Sequence, residues 1–230
     1  NREARGKIIP VLLCPTDSYN QVLYAGKVPP HGDNWARGNY AGNVGNLFIG
    51  EGGAFATSGP DASGALPAND GWRSDLRRGV MGPNISIRLA QITDGTTKTI
   101  LIGEIRAGLT DKDSRGTWAM GHAGASLLAK YGAEGDANGP NACYPSADDV
   151  YSDVCGTDFA KTECMDCWSA GGRAGQAAVR STHVGGAFLG MCDGSVQFIS
   201  DDVETSGSYS TRFTVWDYMI GSADGEQIQL

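Results

Sequence analysis

The sequence lacks both a hydrophobic segment long enough to cross a membrane and an excess of positive charge. No apolar run approaches the roughly 18 residues that a membrane-spanning helix requires. Lys and Arg together number 18 against 26 Asp and Glu, and the formal net charge is −8. A nucleic-acid partner would require a basic surface to neutralise its phosphates. We therefore expect no nucleic-acid partner.

Histidine is also scarce, and no residue pattern of a familiar catalytic site is present. The chain has three histidines, His31, His122 and His183. Ser181 lies two residues before His183, but no nucleophile elbow surrounds it and no acidic partner follows. The Gly-rich stretch at 42–45 lacks the strand, turn and helix context of a phosphate-binding loop. We expect a protein that is not an enzyme.

The sequence is rich in residues that form turns. It has 34 glycines and nine prolines among 230 residues, which favours short strands and many loops over a helical bundle. The length suits one domain over residues 1–230, with a Cys-bearing loop insertion at about 132–175. We expect an α+β fold with an antiparallel sheet and few short helices. Strands are predicted near 39–46, 86–92, 97–104, 117–120 and 227–230, a strand or short helix at 8–14, and a helix at 211–220.

The six cysteines indicate an oxidising compartment. Four of them, Cys143, Cys155, Cys164 and Cys167, lie in the insertion. We expect two disulfides there, Cys143–Cys155 and Cys164–Cys167, out of fifteen possible connectivities of six cysteines. The alternative is a zinc site on the Cys-x-x-Cys spacing of Cys164 and Cys167. The other two cysteines, Cys14 and Cys192, form a third disulfide or remain buried thiols.

Residues 180–199 predict a β-hairpin around Asp193-Gly194. A two-residue type I′ loop there would pair Leu189 with Phe198 and Phe188 with Ile199. Apolar residues would then lie on both faces, so we expect both faces to be covered.

The same hairpin limits what its polar residues can do. An extended strand would place His183 and Asp193 about 33 Å apart, less if Gly185-Gly186 bends the chain. These two residues are therefore not expected to share one metal ion or one catalytic dyad. We interpret His183 as a strand-entry residue with a satisfied hydrogen bond and Asp193 as a turn residue.

Two kinds of binding residue remain as candidates. Acidic loop residues suit Ca²⁺, which prefers oxygen ligands; the weak candidates are Asp111, Asp113, Asp148 and Asp149. Exposed aromatic rings can stack on sugars, and the glycan-binding candidates are Trp35 and Trp72. For each acidic cluster the alternative is a solvated loop, and for most aromatic residues it is the core.

Several ordered segments are similar to motifs of one family. They are Leu-Cys-Pro-Thr-Asp at 13–17, Asn-Tyr-Ala-Gly at 39–42, Ile-Thr-Asp-Gly-Thr-Thr-Lys-Thr-Ile-Leu-Ile-Gly-Glu at 92–104, Gly-Thr-Trp at 116–118, His-(nine residues)-Asp-Gly at 183–194 and Gly-Glu at 225–226. Together they resemble the pilin-like family of unknown function that is abundant in planctomycete bacteria. The C-terminal part of that family is labelled prepilin-type processing-associated. The similarity extends from about residue 8 to 230, and its structural signature residues are Cys14, Asp17, Asp94, Gly95, Glu104, His183, Asp193 and Gly194.

This resemblance implies a pilin-like head of a protein outside the cytoplasm, extracellular, periplasmic or on the cell surface, made as a prepilin-like precursor. Such precursors carry a hydrophobic N-terminal spine helix. We expect that helix to be absent from this chain, and contact with the membrane only through it. The first hypothesis is a structural subunit of a pilus-like filament or pseudopilin assembly, whose partners are copies of itself or related subunits. The alternative is a polysaccharide-binding module, with Ca²⁺ as its candidate cofactor.

Overall fold

The fold is a mixed five-stranded sheet with few short helices, as seen in a computed structural model. The structure describes residues 1–26, 32–46, 78–82, 85–130, 139–143, 147–167, 175–205 and 214–225. Its strands are β1 Tyr40–Gly45, β2 Met81–Gly82, β3 Ile85–Ser86, β4 Ile100–Glu104, β5 Leu127–Ala129, β6 Gly186–Met191 and β7 Val196–Ser200. Its helices are α1 Arg2–Arg5, α2 Asp158–Thr162 and α3 Val215–Ile220, with 3₁₀ turns at Pro10–Leu12 and Leu89–Gln91. The α+β class predicted from the sequence is confirmed. No helix among these described residues has the length and apolar character needed to cross a membrane.

The main sheet has the order β5-β1-β4-β6-β7. Strands β1, β4, β6 and β7 pair antiparallel, whereas β5 lies parallel to β1. Strands β2 and β3 form a separate two-stranded ribbon. The hairpin β6–β7 therefore lies at one edge of the sheet, with β7 as the outermost strand.

The hairpin register is shifted by one residue from the prediction. Phe188 lies opposite Phe198, and Leu189 lies opposite Gln197. The amide of Met191 donates to the carbonyl of Ser195, and the amide of Gly194 donates to the carbonyl of Met191. The loop is thus three residues, 192–194, and only Gly194 has positive φ, at 88°. A turn followed by a left-handed glycine is the usual three-residue hairpin, so the expected type I′ turn was wrong.

The shifted register changes which face of the hairpin is buried. Ala187, Leu189, Met191 and Ile199 point into the core, each less than a tenth exposed. The opposite face carries exposed apolar side chains. A slip of one residue between β6 and β7 moves each β7 side chain to the other face of the hairpin relative to β6. The expectation that both faces are covered was therefore wrong.

Helix α3 covers the buried face of the sheet. Trp216, Met219 and Ile220 pack against strand residues that include Ile100 and Leu189. The predicted helix at 211–220 is thus confirmed for 215–220. Residues 211–213 and the predicted strand at 227–230 lie outside the described residues.

Two predicted strands are mostly absent from the regular sheet. Only Ser86 of the predicted 86–92 strand lies in a strand, and a 3₁₀ turn follows at Leu89–Gln91. Of the stretch 117–120, Thr117 alone forms an isolated bridge, with Arg37. Alternating polarity over so few residues does not distinguish a strand from a loop that packs on the core.

The insertion contains two disulfides, but their pairing differs from the prediction. Cys143 bonds Cys164, and Cys155 bonds Cys167. Asp148 forms a parallel bridge with Cys167, so the two halves of the insertion lie side by side. Each disulfide therefore joins one half to the other, and the predicted local pairs were wrong. Neither cysteine of the Cys-x-x-Cys pair is free to bind zinc.

Candidate functional site

Three residues from distant parts of the chain meet at the end of strand β4. The Nε2 atom of His183 lies 3.1 Å from Oε1 of Glu104 and 3.9 Å from Sγ of Cys14. One ligand atom from each of the three residues lies within 4.8 Å of the other two. We call this set the Cys14–Glu104–His183 cluster.

Buried polar side chains hold Cys14 in the cluster. The amide of Cys14 donates to Oδ1 of Asn39 over 2.9 Å, and Asn20 Nδ2 donates to the Cys14 carbonyl over 2.7 Å. The Sγ atom lies 3.0 Å from Oγ1 of Thr16. Cys14 is a free thiol, 6% exposed. Of the two alternatives for Cys14 and Cys192, the disulfide does not form, and Cys14 is a buried thiol.

Glu104 is fixed at the end of β4 by the strands on either side. Tyr40 of β1 is its direct partner in the antiparallel register. On the other side, the amide of Phe188 donates to Oε2 of Glu104 over 2.8 Å. The carboxylate is therefore held through one oxygen, and its other oxygen, Oε1, points at His183.

His183 is positioned by the loop that leads into β6. Its amide donates to Oγ of Ser181 over 3.1 Å, and its ring packs edge-on against Phe188 with 5.1 Å between centroids. The hydroxyls of Thr182 and Thr16 lie 2.6 Å apart, which ties the His183 loop to the Cys14 loop. The His183 side chain is 27% exposed and that of Glu104 5% exposed. The cluster is thus buried on the Glu104 side and reachable from solvent beside His183.

Tyr40, the strand partner of Glu104, lies beside the acidic groups of the cluster. Burial, together with the nearby Cys14 sulfur and Glu104 carboxylate, raises the pKa of Tyr40 above its usual value. Such a site disfavours further negative charge and favours a cation.

The geometry is unlike that of a nucleophile–base–acid relay. In such a relay the base uses one ring nitrogen for the nucleophile and the other for the acid. Here the same Nε2 atom of His183 faces both Cys14 and Glu104. One donor atom from each residue lies within 4.8 Å of the other two, which is close enough for the three to share a single ion.

The other acidic signature residues fasten loops to the sheet. Asp17 accepts hydrogen bonds from Asn39 Nδ2 over 2.6 Å and from the Ala107 amide over 2.7 Å. Asp94, in the turn with Gly95, accepts the amides of Asp224 and Gly225. These carboxylates have structural partners.

Asp193 caps its own turn in the hairpin loop. Its Oδ1 atom accepts the amide of Ser195 over 2.9 Å and lies 2.7 Å from the Ser195 hydroxyl. These hydrogen bonds lower the pKa of Asp193. Strand β6 separates it from His183, in keeping with the expectation that the two do not act together.

The acidic calcium candidates do not form an oxygen-lined cation site. Asp113 and Asp148 are fully buried, and both accept hydrogen bonds from the Arg115 guanidinium. Arg180 Nε donates to Asp148 over 2.9 Å. Asp111 pairs with Lys112 at the surface, and Asp149 is buried. Guanidinium groups hold the carboxylates of Asp113 and Asp148, so the calcium prediction was wrong for these two residues.

Of the two glycan-binding candidates, Trp35 is described and Trp72 lies outside the described residues. Trp35 is only 8% exposed, and it packs with Tyr24 and Met120. The guanidinium of Arg5 lies 4.2 Å from the centroid of the Trp35 ring. That ring face is therefore covered, and the expectation of an exposed stacking ring at Trp35 was wrong.

A second surface adjoins the cluster. Phe188, Val196 and Phe198 are 41%, 69% and 46% exposed, and alternation places them on the face of the hairpin that points away from α3. The rings of Phe188 and Phe198 pack edge-on at 5.0 Å. We call these three residues the outer hairpin face; Phe188 links it directly to His183.

Sequence reasoning missed the convergence of Cys14, Glu104 and His183. Each lies in a segment that the sequence already marks, but 90 residues separate Cys14 from Glu104 and 79 separate Glu104 from His183. Only the pairing β1–β4–β6 brings the three together, and that pairing is not encoded in any local pattern. The available signal was chemical, because a cysteine, a glutamate and a histidine are all metal-ligand types.

Comparison with known proteins identifies a family. The family SBP_bac_10, described as "Protein of unknown function (DUF1559)", matches residues 1–206. The chain belongs to this family, and the match ends short of the residue 230 that the sequence motifs indicated. No curated protein and no solved structure matches the chain.

Proposed function

We propose that this chain is the head of a non-catalytic structural subunit that assembles outside the cytoplasm. Its partners would be copies of itself or related pilin-like subunits, in a pilus-like filament or a secretion-related pseudopilin assembly. The observation that carries the proposal is the outer hairpin face, an exposed apolar strip on the hairpin β6–β7 at the edge of the main sheet.

Exposed apolar side chains at a sheet edge favour association. Within the described residues, β7 pairs with β6 alone, and its other edge has no strand partner. Unpaired edge strands are usually protected by charge, bulges or covering segments. Here the edge strand presents Val196 and Phe198 instead, and contiguous exposed apolar residues mark interaction sites.

The disulfides support a location outside the cytoplasm. Disulfides are typical of secreted, periplasmic and surface proteins, and two of them join the halves of the insertion.

Direct imaging of the full natural protein, isolated without denaturation, tests this proposal. We expect filaments or defined oligomers in electron micrographs and a sedimentation coefficient above that of a single chain. Specific binding to a polysaccharide array by a protein that sediments as a monomer would instead favour the polysaccharide-binding alternative. A strictly monomeric protein over the whole concentration range would contradict the proposal.

A further inference from the structure

We propose that Cys14, Glu104 and His183 bind one Zn²⁺ ion through Sγ, Oε1 and Nε2. This site is independent of subunit assembly, and it uses residues that the proposed structural role does not need.

Two of the three distances between donor atoms are close to those of a tetrahedral zinc ion, and the third, between Cys14 and Glu104, is at most 4.8 Å. Zinc bonds sulfur at about 2.3 Å and histidine nitrogen or carboxylate oxygen at about 2.0–2.2 Å, which separates ligand atoms by about 3.3–3.6 Å. His183 Nε2 lies 3.1 Å from Glu104 Oε1, slightly closer than that range. It lies 3.9 Å from Cys14 Sγ, slightly farther than that range. Side-chain shifts of a few tenths of an ångström bring these pairs to ligand spacing.

The chemistry of the donors selects the metal. One thiolate, one imidazole and one carboxylate form a mixed sulfur, nitrogen and oxygen set that suits zinc, whereas Ca²⁺ and Mg²⁺ require oxygen ligands. A thiolate and a carboxylate together also neutralise the two positive charges of the ion, which matters because Cys14 and Glu104 are both buried.

The surroundings hold the ligands as metal sites do. Thr16 Oγ1 contacts the Cys14 sulfur, and the Phe188 amide occupies the second oxygen of Glu104. Such outer contacts orient ligands and typically affect affinity by about 10–100-fold. The His183 side chain is partly exposed, so an ion can reach the site from solvent, and water would supply the fourth ligand.

The free thiol itself supports a ligand role. The described cysteines of the insertion are oxidised to disulfides, whereas Cys14 remains reduced beside His183 and Glu104. The Cys14 sulfur is therefore available as a metal ligand, whereas Cys192, the other free thiol, lies outside the cluster.

The chain provides a matched control, because Cys192 is the second free cysteine and lies in the hairpin loop outside the cluster. The test uses the full protein with its disulfides intact, stripped of metal with a chelator and titrated with ZnCl₂ in a calorimeter. We expect one equivalent of Zn²⁺ to bind. Loss of a ligand in Cys14→Ser or His183→Gln should lower the affinity for Zn²⁺ by more than about 100-fold, because loss of an outer contact alone lowers metal affinity by about 10–100-fold. Cys192→Ser should bind like the unmodified chain.

Cobalt substitution keeps the test decisive even if a cluster variant does not fold. The unmodified chain and Cys192→Ser should both give a near-ultraviolet thiolate-to-Co²⁺ charge-transfer band and the intense visible bands of tetrahedral Co²⁺. Any one of three results would overturn the proposal: no stoichiometric Zn²⁺ uptake by the unmodified chain, a Co²⁺ adduct without the thiolate band, or zinc binding lost in Cys192→Ser but kept in a folded Cys14→Ser.

Discussion

The imidazole of His183 meets the carboxylate of Glu104 across 79 residues of sequence, with 3.1 Å between Nε2 and Oε1. The other carboxylate oxygen accepts the amide of Phe188, the third residue of β6. Glu104 thus joins the loop before the hairpin to the end of β4. One side chain links the cluster, the outer hairpin face and the central strand of the sheet.

Removing the Glu104 carboxylate should therefore destabilise the fold as well as the cluster. Glu104→Ala leaves the Phe188 amide without its acceptor, which should lower the free energy of unfolding by about 1–3 kcal/mol. Glu104→Gln keeps a side-chain carbonyl oxygen and should lose less. Urea unfolding at pH 7 measures both variants, and equal stability of the two would contradict this role for the carboxylate.

Neutralising the buried Asp148 should cost far more stability than neutralising the surface residue Asp111. Although burial acts to raise its pKa, Arg180 and Arg115 hold that pKa below the usual value. Asp148→Asn would leave two buried guanidinium groups without their shared carboxylate. We expect this to lower the free energy of unfolding by about 3–5 kcal/mol. Asp111→Asn, at the surface, should change stability by less than about 0.5 kcal/mol. Guanidinium chloride unfolding of the two variants at pH 7 tests the difference, which should vanish if the ion pairs are unimportant.

The same carboxylate gives the protein a defined acid sensitivity. Because the folded pKa of Asp148 lies below its unfolded value, its contribution is fully present above the unfolded pKa, near 4, and is lost as pH falls through the folded pKa. The unmodified chain should lose stability steadily below about pH 4, and Asp148→Asn should show a shallower decline. Unfolding curves at several pH values between 3 and 7, about the range in which carboxylates titrate, give the comparison. Parallel declines would show that other groups control acid unfolding.

The disulfide pairing can be read from peptides. Trypsin cleaves after Lys161, between the two halves of the insertion, and Asp-N cleavage before Asp148 and Asp166 places each of the four cysteines on its own peptide. Without reduction, mass spectrometry should find the Cys143 peptide joined to that of Cys164 and the Cys155 peptide joined to that of Cys167. Local pairs, Cys143 with Cys155 and Cys164 with Cys167, would refute this arrangement.

The thiol of Cys192 should react slowly at neutral pH. Burial and the Asp193 carboxylate raise its pKa to about 11, so only about one thiol in 10³ is ionised at pH 8. Alkylation of Cys192 by iodoacetamide, followed by mass spectrometry, should accelerate up to pH 10 and beyond. Asp193→Asn should react faster than the unmodified chain, because one of the two causes is removed. A rate that levels off near pH 9 would contradict the raised pKa.

The sequence predicted the positions of several strands correctly, but it did not predict which distant residues those strands bring into contact. The runs at 39–46 and 97–104 do contain β1 and β4, because apolar and small residues there alternate or cluster over a strand's length. The hairpin was also located correctly. Its register was not, because Asp193-Gly194 is compatible with both a two-residue loop and a three-residue loop that ends in a left-handed glycine.

That single residue of register decides where the apolar side chains lie. It turns Phe188 and Phe198 outward as partners and leaves Leu189 and Ile199 in the core. The cluster of Cys14, Glu104 and His183 depends on contacts of even longer range. His183 does lie just before a strand and does have a hydrogen-bond partner, as predicted. Its partners could not be identified without the order of the strands in the sheet.

The central claim is that the outer hairpin face is the contact between subunits. Its most direct test compares Phe198→Ser with Leu89→Ser in the full natural protein, since Leu89 is also exposed, at 70%, but belongs to a separate 3₁₀ turn. The measurement is the fraction of native material that pellets with assemblies in ultracentrifugation, with electron micrographs of the pellet. Our account predicts that Phe198→Ser moves the protein to the supernatant while Leu89→Ser still pellets. Assemblies that form equally with both variants would contradict it.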